Sequence, residues 1–221
     1  MSAEAASART RVRRHPERAR YDRETVLSIL DEGLVCHLGF VLAGTPFVVP
    51  TMYARRGDCL YVHGSPASRM LTAGAGGGEL CLTVTLLDGL VLARAAFAHS
   101  MNFRSVMVLG RAEEVTDPVE KMVAFEALIE HVCRGRWADA RRPTAKELAT
   151  TQVLRLGLDE ASAKVRTGGP KDAEADLGLP VWAGELPLRL RPLDAVRHEQ
   201  VADEVPTPAY AIAYSRPGWS A

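Results

Sequence analysis

The sequence predicts a mainly β fold, in which antiparallel strands form a barrel or a sandwich and helices are appended to it. Three observations carry this prediction. At least six short runs of β-branched and alternating apolar residues follow one another along the chain. Glycine-bearing turns separate these runs, and stretches with helical spacing lie between and after them. With 221 residues, of which 47% are hydrophobic, the chain can bury the core of one compact domain.

The first third of the chain predicts a helix followed by a β-meander. The helix is expected to begin after Asp22, which is a natural N-cap, and to stop at Gly33. Three short strands are then expected over residues 34–41, 46–54 and 60–62, because glycine-bearing turns lie between them. Such consecutive strands pair as antiparallel neighbours.

The middle of the chain continues with strands and three further helices. A short helix is expected over residues 66–76. A strongly amphipathic helix is expected over 119–133, since Asp117 can cap it and Pro118 suits its first position. Another short helix is expected over 144–150. The further strands are expected over residues 79–87, 90–99, 105–115 and 151–158.

The two ends of the chain differ from this core in composition. Arginines crowd residues 1–20, but acidic residues lie close by and no apolar segment precedes them, so we expect a flexible N-terminal arm rather than a transit peptide. Residues 21–160 are expected to form the folded domain. Residues 161–221 have the composition of an extended tail, which we expect to pack on the folded domain or on a second copy of the chain.

Composition argues against several classes of function. Lys and Arg total 27 and Asp and Glu total 27, so there is no global positive field to attract nucleic acid. The longest apolar run, residues 80–98, is interrupted by polar residues and does not predict a membrane span. We therefore expect a soluble, cytoplasmic protein. The cysteines form no CxxC pair, which favours reduced thiols over a disulfide or a metal site: Cys36, Cys59, Cys81 and Cys133.

The most informative motif is the strand-to-helix junction over residues 60–70. An alternating strand ends at His63 and Gly64, a turn follows, and Ser68 and Arg69 begin the next apolar stretch. Hydroxyls, a guanidinium and free backbone N–H groups at such a junction suit a phosphate. The alternative is an ordinary turn in which Ser68 caps the helix.

Four segments of the chain occur in an order typical of one family. They are residues 44–53, 60–64 with Ser68 and Arg69, 100–106 with Gly110, and 163–170 with 181–184. Together they resemble the pyridoxamine 5′-phosphate oxidase-like family over about residues 21–192, and within it the nitroimidazole-resistance-type reductases. The resemblance implies an FMN-binding split β-barrel with Greek-key antiparallel strands and appended helices.

The resemblance also implies a homodimer with an FMN in each of two clefts between the subunits. One strand runs beside the isoalloxazine ring and offers backbone groups to its polar edge: Val48, Val49, Pro50, Thr51, Met52 and Tyr53. The phosphate is held by Ser68 and Arg69, next to His63 and Gly64. A further strand brings four polar residues near the cofactor: Ser100, Asn102, Arg104 and Ser105.

His63 is also the candidate catalytic residue, because it adjoins the phosphate-binding turn and would lie near the open face of the ring. The alternative is an ordinary structural histidine, which is the commoner role of an isolated His. No group of His, Cys, Asp and Glu has metal-ligand spacing, so no metal site is expected.

Two departures argue against pyridoxamine phosphate oxidation itself. Met70 stands where those oxidases carry a lysine beside the Ser-Arg pair, and their C-terminal Arg/His arrangement is missing. We therefore expect an FMN-binding oxidoreductase that uses NAD(P)H or a similar reductant on a small organic substrate. Two alternatives remain open. One is a non-catalytic flavin-binding or flavin-sensing module, and the other is a reductase that uses the deazaflavin F420, with the Arg-rich N-terminus gripping its anionic tail.

Overall fold

The structure is a computed structural model that describes residues 4–219. The strands are β1 (Ala19–Arg20), β2 (Val35–Leu42), β3 (Thr45–Met52), β4 (Ala54–Arg56), β5 (Cys59–Gly64), β6 (Glu79–Leu92), β7 (Ser100–Arg111), β8 (Glu113–Glu114), β9 (Gln152–Gly157), β10 (Ala161–Arg166) and β11 (Gly184–Pro187). The α-helices are α1 (Arg23–Glu32), α2 (Arg69–Ala75), α3 (Pro118–Val132), α4 (Arg136–Asp139), α5 (Ala145–Ala149) and α6 (Ala209–Ile212). The predicted mainly β fold with appended helices is confirmed.

The strands build two sheets, and every pairing is antiparallel. The larger sheet has seven strands in the order β1-β10-β7-β6-β2-β3, with β11 added alongside β6. The smaller sheet has four strands in the order β4-β5-β9-β8. The larger sheet is open, and β3 forms one of its edges.

The two main helices begin where the sequence predicts. At the start of α1 the Asp22 carboxylate accepts a hydrogen bond of 2.8 Å from the backbone N–H of Thr25. At the start of α3 the Asp117 carboxylate accepts from two backbone N–H groups. Each carboxylate satisfies donors that have no partner inside the helix. Among residues 4–219, no helix has the length and apolar character needed to cross a membrane.

The main core is built from both sheets together with α1 and α2. Tyr53 is completely buried in it, and its hydroxyl donates to the carbonyl oxygens of Leu30 (2.5 Å) and Gly33 (3.2 Å). A side chain at position 33 would not fit, since a Cβ there would come within 2.4 Å of the Val84 side chain. These contacts hold the end of α1 against the sheets.

The prediction of two separate strands over residues 79–87 and 90–99 is wrong. A single strand, β6, continues through Asp88 and Gly89 with a register shift at that point. Gly89 is there for close approach rather than for a turn, because a Cβ at this position would lie 2.9 Å from the carbonyl oxygen of Leu186 on β11. The chain reverses only after Leu92, so β7 starts at Ser100, earlier than predicted.

The folded domain extends beyond the predicted boundary at residue 160. Strand β10 pairs with β7 on one side and with β1 on the other. The N-terminal segment is also attached, because Arg9 hydrogen-bonds to Glu79 and Glu160. These attachments depend on partners far away in the sequence, which the local composition does not report.

Candidate functional site

The predicted phosphate-binding junction lies between β5 and α2. Ser68 occupies the N-cap position of α2, but its hydroxyl makes no capping hydrogen bond. Its backbone instead organises the turn, since its N–H donates to Ser65 O (2.9 Å) and its carbonyl accepts from the Thr72 hydroxyl (3.0 Å). The Ser68 side chain is therefore uncommitted within residues 4–219.

Arg69 is exposed at the first position of α2, and its guanidinium lies over the Phe47 ring at 4.7 Å from the centroid. Phe47 belongs to β3 and stacks on Phe40 of β2, with ring centroids 5.4 Å apart. The described part of the chain provides no carboxylate partner for Arg69. A positive charge with free hydrogen-bond donors is thus held beside the edge strand of the larger sheet.

Strand β3 supplies the predicted ring-binding residues. Val48 and Pro50 face outward, whereas Val49 packs against the main core. As an edge strand, β3 has backbone N–H and C=O groups without a neighbouring strand in the described residues. Thr51 and Met52 are half-buried at its end. Tyr53 follows, and its buried, hydrogen-bonded side chain belongs to the core.

The structure does not bring the predicted residues of β7 to this place. Strands β6 and β2 lie between β7 and β3, so the lateral separation is three strand spacings, about 14 Å. The two groups are also displaced along β6. Ser100 and Asn102 pair with Val91 and Gly89, whereas β2 pairs with β6 only over residues 80–83.

The β7 side chains are bound within the chain. The Asn102 amide nitrogen donates to Glu185 (2.6 Å), and its oxygen accepts from the buried Arg166. The Arg104 guanidinium forms ion pairs with two carboxylates, those of Glu32 and Asp88 (2.7 Å). These hydrogen bonds raise the pKa of Arg104 above its ordinary value.

Ser105 is the least constrained of this group, since its hydroxyl reaches the Lys164 carbonyl only at 3.5 Å. Next to it, Arg104 forms part of the wall of a cavity of about 950 Å³. The cavity lies between the end of α1, the bulge of β6 and the C-terminal segment, and its rim includes Tyr214 and Trp219. Its volume suits a cofactor-sized ligand. Sequence reasoning missed it, because its walls come from five distant segments of the chain.

His63 lies at the end of β5, half-buried, with its ring edge-on to Phe125 of α3 at 5.5 Å. Its Nδ1 is buried and has no hydrogen-bond partner in the described structure. Burial lowers the pKa of His63 below its ordinary value, so the ring is neutral at pH 7. A neutral imidazole with a free nitrogen can accept a proton or ligate a metal. The residues described contain no cluster of three metal-ligating side chains.

The comparison with protein families decides what this fold is. The family model for pyridoxamine 5′-phosphate oxidase matches residues 22–165. The chain belongs to this family. The resemblance predicted from the four motifs is therefore confirmed, and the two antiparallel sheets are those of its split barrel.

Three solved structures give more detail. The flavocytochrome Anf3 from Azotobacter vinelandii is 44% identical, with a TM-score of 0.90, over 95% of this chain and 97% of its own. An FAD and heme binding protein from Mycobacterium smegmatis is 34% identical, with a TM-score of 0.84, over 87% and 95%. A candidate 5-nitroimidazole antibiotic resistance protein from Bacteroides thetaiotaomicron is 26% identical, with a TM-score of 0.55, over 66% and 86%. No curated protein matches the chain.

Proposed function

We propose that this protein is a flavin- and heme-binding redox protein that works as a homodimer. The observation that carries the proposal is the similarity to flavocytochrome Anf3, at 44% identity over nearly the whole of both chains. The FAD and heme binding protein at 34% identity supports the same pair of cofactors. Our sequence-based expectation named FMN, and both flavins share the phosphate that adjoins the ribityl chain.

The chain's own residues fit the binding of a flavin at β3. The Arg69 guanidinium has no carboxylate partner in the described residues and the Ser68 hydroxyl is uncommitted, so both are available to the phosphate. The free edge of β3 offers backbone donors and acceptors to the polar edge of the ring. The flavin supplies the redox chemistry, while the protein binds it, orients it and limits its access to water.

The homodimer is supported by the division of the predicted site. Within one protomer the β3 group and the β7 group lie on separated strands and at different levels of the larger sheet. A second copy can place Ser100 and Ser105 of one protomer, the β7 residues without strong partners in the described chain, against the β3 residues of the other. The proposed cofactor site would then be completed only in the dimer.

His63 would be the residue that holds the heme iron. Its pKa is lowered, which keeps the imidazole neutral, and its Nδ1 has no other partner in the described structure. Heme iron supplies a reversible one-electron change when it is bound. Binding of the heme iron would be a different role from the catalytic one that the sequence predicted for His63.

The test is to identify the small molecules that the purified protein carries. We expect visible absorption from both a flavin and a heme Soret band, and mass spectrometry of the released cofactors distinguishes FAD from FMN. Bleaching by NAD(P)H followed by reoxidation with a quinone or a nitroaromatic compound would support an enzyme. Bound flavin without reduction would favour a binding module. A colourless protein that takes up F420 but neither flavin nor heme would overturn the proposal.

The heme part has a separate test. After reconstitution with hemin, His63→Leu should show the Soret band of free hemin instead of that of the ligated protein, and it should leave flavin binding intact. His99→Leu, at an exposed position, is the matched control. An unchanged Soret band in His63→Leu would remove His63 from the iron site.

A further inference from the structure

One segment of the tail projects from the protein. Residues 189–207 contain no helix or strand, and every one of them is exposed. We call this segment the arm. A loop of this length without secondary structure is uncommon in a compact domain, and such loops are usually functional or disordered.

The base of the arm is fixed to the protein at both ends. On the incoming side, β11 pairs with β6, and the next residue, Leu188, donates its N–H to Asp88 O at 3.0 Å. On the outgoing side, Arg216 is buried and its guanidinium donates to the carbonyl oxygens of Asp31, Glu32 and Gly33, each at 3.0 Å.

These carbonyls end α1 and have no partner inside that helix, so Arg216 caps its C-terminus. The Tyr214 hydroxyl adds a hydrogen bond of 2.7 Å to Val132 O at the end of α3. The arm is therefore a loop held at two fixed points, not a frayed terminus.

The first residues of the arm, including Leu190, line the cavity of about 950 Å³ together with Leu87. Two apolar side chains further along the arm are almost fully exposed within the protomer. Leu190, Leu193 and Val196 are 70%, 81% and 95% exposed. A second exposed apolar surface lies on the face of the larger sheet that points away from the core, which we call the outer sheet face. Its exposed members share that face by strand register: Val35 and Val41 of β2, Val48 of β3 and Leu87 of β6.

The protomer exposes more area than a compact monomer of the same mass, and the difference indicates how much surface a partner can bury. The protomer of 24.0 kDa exposes 13683 Å². A compact monomer of that mass exposes about 9,900 Å², so the excess is about 3,800 Å². Each partner in a standard interface buries about 800 Å², and obligate homodimers bury several thousand in total. This excess is larger than the area that one partner contributes to a standard interface, and it is large enough for the interface of an obligate homodimer.

We propose that the arm lies on the outer sheet face of a second copy, so that the two protomers exchange arms across the dimer. This rests on the homodimer of the proposed function and adds the segment that holds it together. Half of the arm, about nine residues, can reach up to about 30 Å, whereas packed sheets lie only about 10 Å apart.

The first test uses Leu193→Asp combined with Val196→Asp. Both side chains are exposed within the protomer, so the unfolding of an isolated protomer should not change. The dimer dissociation constant, measured by sedimentation velocity, should rise about 100-fold or more, since two apolar side chains lose their burial. Val119→Asp is the matched control, because Val119 is 71% exposed on α3, which packs on the smaller sheet. A double variant that dimerises like the wild type, or a wild type that is monomeric, would overturn the proposal.

The second test establishes which surface the arm covers. A photo-crosslinking amino acid replaces Val196 in a mixture of isotope-labelled and unlabelled protomers. We expect crosslinks between a labelled and an unlabelled chain, mapped to β2 and β3. Crosslinks only within one chain would mean that the arm folds onto its own protomer, and crosslinks only to another protein or to lipid would mean a different partner. Either result overturns the proposal.

The cofactor content of the same samples separates this proposal from the proposed function. Dimers with exchanged arms but without flavin would leave the arm assignment intact and refute the cofactor. A flavin-loaded monomer would refute the arm assignment and leave the cofactor assignment intact.

Discussion

The two groups of residues that the family resemblance assigns to one cofactor differ sharply in what their side chains do. At the junction of β5 and α2, the Ser68 hydroxyl and the Arg69 guanidinium have no hydrogen-bond or ion-pair partner in the described chain. On β7, Asn102 and Arg104 are bound to carboxylates and to a buried arginine. Uncommitted polar groups are available to a ligand, whereas committed ones stabilise the protein that surrounds it.

The committed groups on β7 have a clear structural task. Asn102 connects β7 to Glu185 of β11, and Arg104 connects β7 to the end of α1 and to the bulge of β6. Asn102 thus holds a segment of the tail to the larger sheet, and Arg104 holds the end of α1 to it. A family-based assignment of residues to a cofactor therefore has to be weighed against the partners that each residue already has.

The largest expected effect concerns the β7 residues that are bound within the chain. Arg104→Ala leaves the nearly buried Glu32 carboxylate without its cation, which should lower the free energy of unfolding by about 3 kcal/mol, at the low end of the range for broken buried ion pairs. Urea denaturation measures it. The double variant Arg104→Met, Glu32→Gln should recover part of the loss. If the variant had unchanged stability but weakened flavin binding, Arg104 would belong to the flavin-binding site.

The pH dependence of the free energy of unfolding tests the buried contacts of His131, which lies beside Arg216. Burial, and then the Arg216 charge, lower the pKa of His131 to about 4. The unfolded chain therefore takes up this proton first, so stability is complete above about pH 6.5 and falls as the pH decreases towards 4, by at most about 3 kcal/mol.

His131→Gln keeps a donor for the Gly33 carbonyl, which lies 2.7 Å from His131 Nε2, and should flatten this slope in denaturation at pH 7 and pH 4.5. His37→Gln, at an exposed position, should retain it. Equal slopes in all three proteins would contradict the assignment.

Arg69→Ala tests the junction of β5 and α2, where the polar side chains have no partner in the described chain. The loss of a charge-assisted hydrogen bond to the phosphate should weaken flavin binding by about 1.5–3 kcal/mol, which is roughly 10- to 150-fold in the dissociation constant. The stability of the flavin-free protein should change little, since Arg69 is exposed. Fluorescence titration with flavin measures the effect. Arg56→Ala is the control, and similar affinities in both variants would exclude Arg69 from the site.

The smallest expected effect belongs to Ser68→Ala. Replacing a serine that caps a helix ordinarily costs about 1 kcal/mol of stability. Ser68 makes no capping bond, so the flavin-free protein should lose less than about 0.5 kcal/mol, while flavin affinity should fall by about 1 kcal/mol. Thermal unfolding and flavin titration separate the two. A full loss of stability without loss of affinity would restore the ordinary N-cap interpretation.

The sequence by itself determined the parts of this protein that depend on neighbouring residues. Asp22 and Asp117 predicted where α1 and α3 begin, because a cap acts within one helical turn. The glycine-bearing turns predicted the pairs β2–β3 and β4–β5, and the four ordered motifs predicted the family. The single strand expected over residues 46–54 is wrong, because β3 and β4 belong to different sheets.

The tertiary structure alone decided the features that depend on distant partners. Gly89 marks a close approach of β11 and not a turn, and residues 161–166 form an inner strand only because β1 and β7 lie on either side of them. The sequence did not predict the hydrogen bonds of Asn102 and Arg104 for the same reason, since their partners lie 16 to 83 residues away along the chain. Local patterns report propensity and capping, whereas pairing across the sheet is set by the packing of the whole chain.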